Sequence, residues 1–120
     1  MHQFEEYQNL LLSEEMWNTI HTDKTLTRNE KLMGKLASAL DSLNDFGTDF
    51  AYHPRGNLES LGNGWWSLRI RHQKDYWRIM FRKADSTKYG LVLMYLKKEN
   101  KITKRNWDAA ERIAKREGWL

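Results

Sequence analysis

The stretch WWSLRIRHQKDYWRIMFR, residues 65–82, decides the fold. Over 65–71, Trp66, Leu68 and Ile70 alternate with Ser67, Arg69 and Arg71; over 76–82, Trp77, Ile79 and Phe81 alternate with Tyr76, Arg78, Met80 and Arg82. Period-two alternation marks half-buried strands, and the polar connection between them makes a hairpin. With His72-Gln73-Lys74-Asp75 as a four-residue loop, Arg71 faces Tyr76, Ile70 faces Trp77 and Leu68 faces Ile79, which keeps the large apolar side chains on one face. A slip of one residue would turn that set to water. The same register sets Arg69 against Arg78, with Arg71 and Arg82 on the same face. Like charges directly opposite cost a few tenths to about 1 kcal/mol. Such a face repels itself unless an anion lies on it, and phosphate is the anion that guanidinium groups match best. The competing arrangement has Asp and Glu from the helices neutralising the face from the side.

Outward from the hairpin, Asp85-Ser86-Thr87-Lys88 is a turn, and 89–96 is an almost wholly apolar third strand, as expected where both faces are covered. Lys97, Lys98, Lys101, Lys104 and Arg105 follow and extend a basic track past the arginines. They lead into a last helix from about Thr103 to Gly118, with Trp107, Ala110, Ile113 and Ala114 facing inward. On the other side, Pro54, Gly56, Gly62 and Gly64 mark residues 51–64 as a break. Before it, Thr27 and Glu30 have the form of a capping box, Leu32, Leu36, Ala39, Leu40 and Leu43 make one apolar stripe, and Gly47 stands at the C-terminal end. Residues 2–21 read as helical: Phe4, Tyr7 and Leu11 have helical spacing, and Ser13-Glu14-Glu15 restarts a helix that Met16, Trp17 and Ile20 continue. Helices followed by strands give an α+β chain: N-terminal helices packed on a small, mainly antiparallel sheet, with a C-terminal helix.

One domain accommodates 120 residues, and 40% apolar content with six Trp, five Tyr and four Phe excludes a disordered chain. The absence of Cys excludes a disulfide scaffold. No apolar run approaches the roughly 20 residues of a membrane span, and MHQFEEYQ is acidic where a signal peptide is basic. The expectation is a soluble cytoplasmic protein. Charge is divided sharply: residues 1–60 hold five Lys/Arg against ten Asp/Glu, a balance of −5, and residues 61–120 hold fifteen against six, a balance of +9. A polyanion would settle on the second half. His2, His21 and His53 have no ligand spacing, so no metal is expected.

The runs GWWSLRIRHQKDYWRIMFRK (64–83) and YLKKENKITKRNWDAAERIAKR (95–116), with an apolar strand between them, resemble the HigB-type, phage-derived branch of the RelE/ParE toxin superfamily. The likeness covers about residues 58–117 and rests on the order of an aromatic-x-Leu-Arg-Ile-Arg strand, an aromatic-Arg-x-x-aromatic strand, a strand ending in Lys-Lys and a lysine-rich approach to the last helix. It implies one RelE-like toxin domain over 1–120, with helices on one face of the sheet. It implies a toxin that cleaves mRNA on the ribosome without metal or other cofactor, using the RNA 2′-hydroxyl as nucleophile, and a helix-turn-helix antitoxin as partner. Such chemistry needs a base, cationic donors and an acid. By position, Arg69, Arg71 and Arg78 are the phosphate clamp, and His72, or a lysine whose pKa is lowered by neighbouring cations, is the base. Arg82, Lys97, Lys98, Lys101, Lys104 and Trp107 are the further RNA contacts. Relatives open with a strand where residues 1–21 read as helix, and carry Pro where Ile102-Thr103 stands. A second reading keeps the fold without catalysis: a gyrase poison of the ParE sort, or a phage-borne partner-binding protein.

Overall fold

The computed structural model describes residues 1–120. The hairpin of β3 (Trp65–His72) and β4 (Asp75–Lys83) has the expected register, with Arg71 opposite Tyr76, Ile70 opposite Trp77, Arg69 opposite Arg78 and Leu68 opposite Ile79. Its loop is tighter than expected. His72 and Asp75 also pair, leaving a two-residue turn of Gln73 and Lys74 in which Gln73 takes φ +56°. Such tight connections suit the twist of a hairpin.

The sheet has five strands rather than three, in the order β1-β5-β4-β3-β2. β5 (Tyr89–Lys97) runs antiparallel to β4, after a turn in which Asp85 Oδ1 accepts from the backbone N–H of Thr87 and Lys88. β2 (Leu58–Gly62) pairs with β3 inside the stretch that the glycines marked as a break. β1 (Leu10–Leu12) pairs parallel with β5. The expected helix over 2–21 is therefore corrected: residues 1–12 form no helix, and helix begins only at α1 (Glu14–Thr22). Leu10 and Leu12 are fully buried in the strand pattern. Ser13 is the cap expected from the sequence: its Oγ accepts from the Met16 N–H and donates to the Val92 carbonyl, so it also ties α1 to β5.

Thr27 is not the cap of the long helix. It closes a short helix α2 (Lys24–Thr27), and Asn29 caps α3 (Glu30–Phe46), accepting from the Leu32 N–H. Leu32, Leu36, Leu40 and Leu43 are buried in one core with Leu68, Ile70, Trp77, Ile79 and Phe81. Each buried side chain of this size contributes about 1.5–3 kcal/mol. The helices do not all lie on one face. α4 (Lys104–Glu117) begins where expected, with Thr103 as its cap, and packs Ala110, Ile113 and Ala114 with Trp65, Met80, Val92 and Trp119 in a second core. Those strand residues project opposite to Leu68, Ile79 and Phe81, so the sheet lies between two layers. In β5 a bulge permits this: Leu91 pairs with Phe81 and Leu93 with Met80, leaving Val92 as an extra residue. No helix is long and apolar enough to cross a membrane.

Candidate functional site

Two neighbouring rungs of the sheet carry the charged face. One runs Arg71–Tyr76–Lys97 across β3, β4 and β5; the other runs Arg69–Arg78–Tyr95. Residues two apart on a strand share a face, about 7 Å apart. Four cations and two tyrosines thus form one patch. Tyr76 gathers three of the cations: the guanidinium carbons of Arg71 and Arg69 lie 5.7 and 5.9 Å from its ring centre, and Lys97 Nζ lies 5.4 Å away. Contacts of cations with an aromatic face offset part of their mutual repulsion.

None of the four cations forms an ion pair; the salt bridges involve Met1, His2, Lys104 and Arg116 instead. Arg69 donates to the Gly56 carbonyl and Arg71 to that of Gln73. Arg78 is 3% exposed, donating to the Tyr95 hydroxyl and the Asn100 carbonyl at 3.1 Å each, with Nε unpartnered. A buried guanidinium without a carboxylate is costly to keep and leaves donor capacity unused. Lys97 responds to this setting. Its pKa lies below the ordinary 10.5, first because burial disfavours the ammonium and then because Arg69 and Arg78 repel it; Glu59 opposes the shift. Beside the patch, Arg78, Lys98, Lys101 and Arg105 line a cleft of about 390 Å³ at the start of α4, with Glu99 as its one acidic group.

Not every expected residue joins the patch. His72 follows Arg71 and so points to the opposite face, where its Nε2 accepts from Asn29 Nδ2 at 3.0 Å. Its expected place beside the arginines is corrected on that ground: strand alternation separates sequence neighbours. Arg82 stacks 5.0 Å from the Trp65 ring centre and donates to the Asn63 carbonyl. Between it and Arg78 lies the rung of Ser67 and Met80, both fully buried in the α4 layer, which divides the basic face. Lys104 is exposed and paired with Asp108 at 2.9 Å, one turn along the helix. Trp107 meets Trp65 edge-on at 5.7 Å in the second core. Lys98 and Lys101 stay at the cleft. Tyr76 and Tyr95 join the site without having been expected there. The signal was available, because Tyr76 precedes Arg78 by two in an alternating strand and so shares its face.

No curated protein matches the chain. The family described as phage-derived protein Gp49-like (DUF891) matches residues 26–115, three quarters of the length, from α2 through the hairpin and the patch into α4. The matched span contains the hairpin and the unpaired cationic patch, and the chain belongs to this Gp49-like, phage-derived family.

Proposed function

We propose that this protein is the toxin of a toxin–antitoxin pair and cleaves mRNA on the ribosome, as its resemblance to HigB-type toxins implies. The observation that carries the reading is the convergence of Arg69, Arg71, Arg78 and Lys97 with no carboxylate paired to any of them. In this mechanism Lys97, drawn toward its neutral form by burial and by Arg69 and Arg78, takes the proton of the RNA 2′-hydroxyl. The 2′-oxygen bonds to phosphorus and the bond from phosphorus to the 5′-oxygen breaks, leaving a 2′,3′-cyclic phosphate. Arg69, Arg71 and Arg78 hold the phosphate oxygens as their charge grows. The Tyr76 hydroxyl, on the same rung as Lys97, protonates the leaving 5′-oxygen, and the proton held by Lys97 returns to Tyr76 through water. The ribosome and a helix-turn-helix antitoxin are the partners of this reading.

Expression of the protein is expected to arrest growth and to create new 5′ ends on translated messages, mapped by primer extension. Lys97→Arg keeps the charge but cannot act as a base. Lys97→Ala and Lys97→Arg should both lower cleavage about 10²–10⁴-fold, with the fold intact by circular dichroism. Full cleavage by folded Lys97→Arg rules out Lys97 as the base. Growth arrest with intact messages and broken DNA would replace cleavage of RNA by gyrase poisoning.

A further inference from the structure

A second basic cleft, of about 600 Å³, lies between α3 and β3. Its walls carry Lys31 and Lys35 from the helix and Arg69 and Arg71 from the strand, and no Asp or Glu lines it. β2 covers β3 only from Trp65 to Leu68, so the cleft opens where the β3 edge is left free at Ile70 and Arg71. Lys35 Nζ reaches across to the Arg71 carbonyl at 2.9 Å. Arg69 and Arg71 are therefore shared: their guanidinium groups flank Tyr76 on the patch, while the same residues form the cleft wall.

The helix side of the cleft contains an oddity. Gly34 sits inside the seventeen-residue α3, where any residue but Pro would favour helix more. Packing does not ask for glycine there: a Cβ at Gly34 would meet nothing within 4 Å. The missing side chain serves no neighbour in the fold and leaves open space in a positively charged cavity. Cavities of some 300–1,000 Å³ hold ligands of about nucleotide size.

We infer that this cleft is a subsite for a nucleotide next to the scissile one on the same RNA strand, with Lys31 and Lys35 on its phosphate and Gly34 keeping the space open. The inference rests on the proposed RNA cleavage and extends it to how the strand is gripped. The test uses RNA made uncleavable by a 2′-deoxy sugar at the scissile position, as a dinucleotide and as a tetranucleotide, with affinity read by calorimetry. The wild type should bind the tetranucleotide roughly tenfold or more tighter than the dinucleotide. Gly34→Trp should abolish that gain and leave dinucleotide binding unchanged; Gly34→Gln serves if the Trp variant does not fold. Lys31→Ala should reduce the gain and flatten its salt dependence. A folded Gly34 variant that keeps the full tetranucleotide gain overturns the subsite, as does a wild type that gains nothing from added length. A wild type that binds neither RNA and leaves translated messages intact in primer extension overturns the cleavage reading itself, a failure distinct from that of the cleft.

Discussion

Lys97 and Arg69 act on each other through charge, and that coupling sets a sign. The folded protein holds Lys97 below its ordinary pKa, so the neutral, proton-accepting form grows as pH rises, and it does so earlier than for a solvated lysine. Cleavage of a short mRNA on ribosomes programmed with it should therefore climb with pH, with the midpoint of the rise below 10.5, the ordinary lysine value. Replacing Arg69 by Gln removes one of the two repelling cations and should move the rising limb to higher pH, besides weakening phosphate binding. A limb that stays in place in Arg69→Gln would exclude this coupling. At this scale the sequence was legible where alternation and burial agree. Arg69 was placed opposite Arg78 from the pattern of Trp, Leu and Ile alone, because only one register buries them. His72 departs from expectation because neighbours along a strand point to opposite faces, so nearness in sequence is not nearness in space. The particular standing of Lys97 was invisible, since it depends on three strands meeting.

Among the elements, local pattern read well and distant pairing did not. α3 and α4 declared themselves through apolar stripes, and the Asp85 turn through its polar run. β1 was hidden, because Phe4, Tyr7 and Leu11 mimic a helical period and only β5, some eighty residues away, makes Leu10–Leu12 a strand. β2 was hidden among glycines. The seating of α4 on the opposite layer is likewise a tertiary fact, and Gly90 shows how close the fit is: a Cβ at Gly90 would run into the Trp119 ring. Trp119 is buried, just past the left-handed cap Gly118. Gly90→Ala should accordingly cost about 1–3 kcal/mol by overpacking, measured by denaturant unfolding, with Trp119 fluorescence reporting displacement of the C-terminus. An unchanged midpoint would mean that the chain end yields without cost.

For the molecule as a whole, the division of charge read from the sequence carries into three dimensions. The acidic N-terminal helices pack on the layer of Leu68 and Ile79, whereas the patch faces the other way. One ion pair joins an N-terminal acid to a C-terminal base, Glu15 with Arg116 at 2.6 Å, and it lies outside the patch. The arrangement in which the helices neutralise the arginines is thereby excluded. Binding of single-stranded RNA should then depend on salt in proportion to the phosphates neutralised, at about 0.7 in log K per log unit of salt for each contact. Four cations give a slope near −3 at roughly that rate, and a slope near zero would show that the patch takes no phosphates. Fold class and the sign of the surface were thus open to reading from composition and alternation. The breaking of the basic face by α4 was not, because nothing in a linear string says which layer a terminal helix will choose.

The extra residue at Val92 has a meaning beyond packing. Leu91 and Lys97 are both odd-numbered positions of one strand, and in an unbroken ladder they would look the same way. The bulge acts like a shifted reading frame: upstream of it odd positions look toward the core under α3, and downstream they look toward the α4 layer and the cationic patch beside it. Deleting that single amino acid would tidy the ladder and make the chain point either Leu91 or Lys97 the wrong way, so the irregularity is what allows one strand to serve both the interior and the cationic surface.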